Sequence, residues 1–155
     1  MKRRCQLPLF VCIAILMPLA AVDAAESTYA VGVAAVDVTP KYPVRLNGFG
    51  FRRAESEGVT QRVWAKAMAI GTDDEQPVVL ITLDNLGVRL PQTEEVARRL
   101  KEKAGIERDR LIITFTHTHT APKVTGASDT IFQTSIPPEH QAHIDRYTKE
   151  LTDWL

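Results

Sequence analysis

Cysteine is nearly missing from this chain, and the two that exist, Cys5 and Cys12, both fall near its start. Both lie inside a segment that reads as a signal peptide, so the chain beyond it has no thiols for a disulfide framework or a cysteine zinc site. Neither sits just before a plausible cleavage point, which argues against a lipid-modified N-terminus. Any metal must then be held by His, carboxylate or Tyr. An excess of basic charge is also absent: Lys plus Arg and Asp plus Glu both number 19. A charge-balanced surface gives nucleic acid no electrostatic footing. Long apolar runs are lacking too, since the longest, Leu7 to Ala21, covers roughly 15 residues where a membrane helix needs about 20. There are no internal repeats and no low-complexity tracts.

What is present begins with Lys2, Arg3 and Arg4 ahead of that apolar run, which gives way to Val22, Asp23, Ala24 and Ala25. This is the layout of a signal peptide, with small residues placed for cleavage after Ala24 or, as the second choice, after Ala25. The alternative is an uncleaved anchor, against which Pro8 and Pro18 make the apolar region irregular. Removal of residues 1–24 takes away three basic residues and one acidic, leaving 16 and 18, a formal charge of −2. The expectation is an exported chain, periplasmic or extracellular, with residues 25–155 as one unit of a size that can bury a core.

Period-two valines at 31, 33, 36 and 38 predict a first strand over 29–38, stopped by Thr39 and Pro40. A loop with Gly48 and Gly50 follows. Strands are then predicted over 62–70 and 77–83, paired as a hairpin across the polar segment between them. Val96, Ala97, Leu100 and Ala104 share one helical face over 91–104, and Gly105 supplies the stop. The β-branched run 111–116 reads as a fourth strand. Ile144, Tyr147, Leu151 and Leu155 stripe a last helix. That helix carries no stop signal, so the chain reads as ending inside an element. The fold class is α/β, a mixed sheet with flanking helices forming the N-terminal part of a larger catalytic domain.

The chemistry-bearing segment runs from Thr114 to Pro122 and contains His117 and His119 at i and i+2. In a strand, alternate residues share a face, so both imidazoles would approach one ion or one substrate group. Pro122 leaves them at the strand's carboxyl end, where open α/β sheets bind ligands. The bland alternative is two exposed histidines in a threonine-rich edge strand. A catalytic zinc needs about three protein ligands and a water, so two histidines do not complete a site. His140 and His143, at i and i+3 on the last helix, read as a solvated face. Asp84, ending a neighbouring strand, either orients an imidazole from behind or caps a turn. Gly48 and Gly50 either let backbone approach a ligand or serve turn geometry. The metallo-β-lactamase pattern is not matched, because its acidic residue and next histidine would fall at Ala121 and Pro122.

Four segments, in order, resemble the N-terminal part of the neutral/alkaline, non-lysosomal ceramidase family. They are Val31 to Pro40, the loop Asn47-Gly48-Phe49-Gly50, the strand Val78 to Asp84, and Leu111 to His119. The resemblance implies zinc as cofactor, with His117 as a metal ligand and His119 beside it as a catalytic group near the scissile amide. It implies hydrolysis of a ceramide-class lipid amide to fatty acid and sphingoid base, with membrane-surface contact through the substrate. It also places the remaining ligands, a second histidine, a glutamate and a tyrosine, far later in a longer chain, so that residues 25–155 alone are expected to be inactive. Where the family has Ser-Gly-Pro after the histidines, this chain has Thr120-Ala121-Pro122, a departure that bears on the substrate more than on the metal. Two other expectations stand beside it: a non-catalytic exported module binding a lipid or partner, and a related hydrolase of another amide or ester.

Overall fold

The computed structural model describes residues 28–72 and 75–155. The signal peptide expected over 1–24, with Cys5 and Cys12, lies outside them. Four strands, β1 (Ala30–Asp37), β2 (Trp64–Gly71), β3 (Val78–Leu83) and β4 (Leu111–Phe115), form one mixed sheet in the order β1-β2-β3-β4. β1 pairs antiparallel with β2, β2 antiparallel with β3, and β3 parallel with β4. The predicted hairpin is the β2–β3 pair, with Ile70 opposite Val78 and Ala65 opposite Leu83. Parallel neighbours need a crossover, and the helix α1 (Leu90–Ala104) supplies it between β3 and β4.

α1 begins with proline in its first turn, where a missing N–H costs nothing. It ends where the sequence puts the stop: Gly105 adopts φ 69 and donates its N–H to the Lys101 carbonyl at 3.0 Å. The second helix, α2 (Pro138–Trp154), lies against the same side of the sheet. Strand alternation explains why one face is dry. Ala65, Val79, Ile81, Leu83 and Leu111 pack with Val96 and Ala97 of α1 and with Ile144, Tyr147 and Leu151 of α2. Each fully buried large side chain there contributes about 1.5–3 kcal/mol. The helices are also tied by polar contacts, Gln92 Nε2 donating to Thr152 Oγ1 at 3.0 Å and Arg99 pairing with Asp153 at 2.7 Å.

The opposite face carries no helix among the described residues. Val31, Val33, Ile70, Val78 and Ile112 stand open on it, Val33 being 80% exposed.

Candidate metal centre

β3 and β4 end together. Leu83 pairs with Phe115, and Thr116 N–H donates to the Leu83 carbonyl at 2.9 Å. Two connections leave this shared carboxyl edge: the turn after Leu83 and the loop from Thr116 to Pro122 that carries both histidines. Here the structure corrects the expectation from sequence, because β4 stops at Phe115 and does not run on through the histidines. His117 sits at φ 57, a left-handed backbone that no strand contains. Pleat alternation therefore does not orient the pair. A chain reversal does, leaving the two rings 5.4 Å apart between centroids with planes inclined at 69°. His117 is exposed and His119 half-buried.

The cause lies in the neighbouring turn. His117 Nδ1 is 2.8 Å from the Leu86 carbonyl oxygen. A carbonyl only accepts, so Nδ1 carries the proton and Nε2 of the neutral ring is left with a free lone pair, the form a metal takes. Asp84 hydrogen-bonds Trp64 and not the imidazole. Its Oδ2 accepts from the Trp64 amide at 3.0 Å while its own amide donates to the Trp64 carbonyl at 2.9 Å, closing the end of the β2–β3 pair.

His119 is held from the glycine loop. Gly48 has φ 94, and a Cβ there would lie 2.4 Å from His119 Cγ and 2.8 Å from its Cα. Both the dihedral and the close approach require glycine. A Cβ on Gly50 would fall 2.2 Å from the Ile131 carbonyl oxygen, so that glycine admits the short helical turn Asp129–Phe132 instead of a ligand. Phe49 meets the His119 ring edge-on at 5.1 Å, and Arg52 Nη1 donates to the His119 carbonyl at 3.0 Å.

Several residues that sequence reasoning passed over hold this arrangement. Asn47 N–H donates to the Ala121 carbonyl at 3.0 Å and Lys123 N–H to the Arg45 carbonyl at 2.8 Å, a short antiparallel clasp centred on Leu46 and Pro122. Asn47 itself is fully buried, its Oδ1 accepting from Gly48 N–H at 2.9 Å and its Nδ2 donating to the Ala127 carbonyl at 3.3 Å. Asn85, also buried, donates to the Pro122 carbonyl at 3.1 Å. The asparagine before a glycine was the one available signal. Two cations are buried behind the clasp: Arg45, whose guanidinium lies 4.8 Å from the centre of the Phe132 ring, and Lys123, bonded to the Ala127 carbonyl and to Asp129. Burial, and then the charge of Arg53, push the Arg45 guanidinium below its ordinary pKa. Both are buttresses and neither reaches the imidazoles.

The later histidines differ from expectation as well. His143 is not simply solvated: its Nδ1 lies 2.8 Å from Glu55 Oε1, and its ring is 5.7 Å from that of Tyr42. His143 makes neither a hydrogen bond nor a ring contact with the first pair. A cleft of about 530 Å³, bounded by Val44, Leu46, Arg52, Val63, Thr120 and Pro122, abuts the loop without including either imidazole. Among the described residues, no group of three or more His, Cys, Asp or Glu is placed to hold an ion. The donor set fits zinc in kind and falls short in number, since catalytic zinc takes about three protein ligands.

The model of the N-terminal part of neutral/alkaline non-lysosomal ceramidases matches residues 29–141. The chain belongs to the neutral/alkaline non-lysosomal ceramidase family. Within the matched span fall His117, His119, the glycine loop, Asn47 and Asn85. The neutral ceramidase of Drosophila pseudoobscura pseudoobscura is 31% identical over 102 residues, which is 63% of this chain and 14% of that protein. The neutral ceramidase of Drosophila melanogaster is likewise 31% identical, over 101 residues and the same shares. The chain thus spans about a seventh of the length of these ceramidases. The crystal structure of neutral ceramidase from Pseudomonas aeruginosa shares the fold with a TM-score of 0.59 at 22% identity, over 82% of this chain and 21% of that one. A ceramidase solved in complex with C2 matches equally, at 20% identity over 77% of this chain.

Proposed function

We propose that this chain is the N-terminal part of an exported, zinc-dependent amide hydrolase acting on lipids of the ceramide class. The observation that supports the reading is the His117 ring, whose Nδ1 is committed to the Leu86 carbonyl, leaving Nε2 free to serve as the ligand that the family resemblance implies. Zinc, when bound, supplies Lewis acidity that makes water nucleophilic at neutral pH. His117 would be one of its ligands. His119, half-buried and 5.4 Å from His117 between ring centroids, is within reach of a group attacked beside that ligand. It would hydrogen-bond the amide carbonyl or hand a proton to the departing nitrogen. Phe49, edge-on to His119, and Phe51, 79% exposed beyond it, offer an apolar wall suited to an aliphatic chain. The leader expected at 1–24 would carry the product out of the cytoplasm.

The test is zinc content by elemental analysis together with hydrolysis of a short-chain fluorescent ceramide, measured on the protein expressed from its complete reading frame. Wild type should hold one zinc and cleave the amide, and His117→Ala should lose both. Full zinc occupancy in His117→Ala removes the ligand assignment, and a zinc protein that leaves ceramide intact while cleaving another amide or ester moves the substrate class.

A further inference from the structure

An exposed histidine on a left-handed residue has no reason to keep one ring orientation, yet His117 is fixed by a single bond to the Leu86 carbonyl. What holds that carbonyl in place is the residue before it. Asn85 is 1% exposed and uses both ends of its amide: Oδ1 accepts from Gly87 N–H at 3.0 Å, and Nδ2 donates to the Pro122 carbonyl at 3.1 Å. The first bond closes a three-residue turn over Leu86, the Asx geometry that aspartate and asparagine favour. That turn fixes the plane of the Leu86 peptide. The second bond fastens the turn to the far end of the histidine loop, beyond His119, at the residue whose neighbours are clasped to Arg45 and Asn47. Leu86 is itself buried, so the turn is anchored from inside as well.

We propose that Asn85 is a positioning residue for the His117 imidazole. It sets the Leu86 carbonyl where it accepts a hydrogen bond from Nδ1–H, selecting the tautomer whose Nε2 keeps its lone pair. Aspartate in its place would accept from Gly87 but present an oxygen to the Pro122 carbonyl, and alanine would do neither. The consequence for metal binding rests on the zinc reading above; the ring orientation does not.

The tautomer is read directly on the isotope-labelled protein expressed from its complete reading frame and stripped of metal, by long-range proton–nitrogen correlation of the His117 ring at a pH where the imidazole is neutral. Wild type should show the Nδ1–H form alone, and Asn85→Ala a mixture with the Nε2–H form. Asn85→Asp, nearly isosteric and safer for folding, should give a smaller admixture. In a zinc titration followed on the same resonances, Asn85→Ala should weaken binding by about 10–100-fold, as loss of an outer partner of a ligand does. Val96→Ala, a core truncation on α1, separates positioning from general destabilisation and should leave the tautomer unchanged. An unaltered tautomer in both Asn85 variants, or release of the ring in Val96→Ala as well, overturns the proposal. Release of the ring in Asn85→Ala with His117 resonances indifferent to zinc in every variant upholds the role of Asn85 and counts against the zinc reading instead.

Discussion

Gly48→Ala tests the packing of the candidate centre at one carbon. The added Cβ would stand 2.4 Å from His119 Cγ, 2.5 Å from its Cβ and 2.8 Å from its Cα, the last a backbone atom that cannot swing aside. Two penalties combine. Holding an alanine at positive φ costs about 1–2 kcal/mol, and forcing a methyl into a filled contact costs about 1–3 kcal/mol more. The expected loss is therefore about 2–5 kcal/mol. Gly126→Ala separates the two, because Gly126 also has positive φ, 72, but nothing lies within 4 Å of its added Cβ. Both substitutions gain equally from a stiffer unfolded chain, so the difference between them isolates the clash. Urea unfolding followed by tryptophan fluorescence should place Gly48→Ala about 1–3 kcal/mol below Gly126→Ala, with the His119 ring resonances shifted only in the former. Equal stabilities would mean that the glycine loop does not press on His119, and the described geometry of the site would fail.

Other outcomes follow from single contacts. Hydrogen bonds from Thr39, with Arg62 beside it, hold the Asp37 carboxyl down from 3.8 to about 2. A depressed folded pKa means stability that is complete above about pH 4 and is lost as the pH falls toward about 2; Asp37→Asn should flatten that limb of urea midpoint against pH. Asp84→Asn should leave zinc binding unchanged and cost under about 1 kcal/mol, since its amide oxygen still accepts from Trp64; a tenfold loss of zinc affinity would return Asp84 to the imidazole. Leu151→Ala, at 1% exposure between α2 and the sheet, should destabilise by about 2–5 kcal/mol in the same unfolding assay.

The strands and α1 were legible because their signals are local: paired valines for β1, an apolar stripe closed by Gly105 for α1. The end of β4 was not. Thr116-His117-Thr118-His119-Thr120 alternates as a strand does, and what stops it is tertiary, the Leu86 carbonyl capturing His117 from another connection. The same holds for the glycines. Sequence shows that Gly48 suits a turn, but the ring it makes room for comes from the other half of the chain. Asn47, Asn85, Arg45 and Lys123 look like surface polar residues until the clasp around Leu46 and Pro122 buries them. Asp84 carried a local signal, and the turn role left open for it is the contact observed.

His117 keeps a backbone conformation that glycine or asparagine would occupy at less cost, by about 1–2 kcal/mol for an ordinary side chain. Under the ligand role proposed above for His117, folding and chemistry are opposed at one codon. A variant library sorted only for soluble yield or heat resistance would drift toward glycine or asparagine at position 117, and the winners would be better folded and empty-handed. Sorting the same library for retained metal would bring the histidine back.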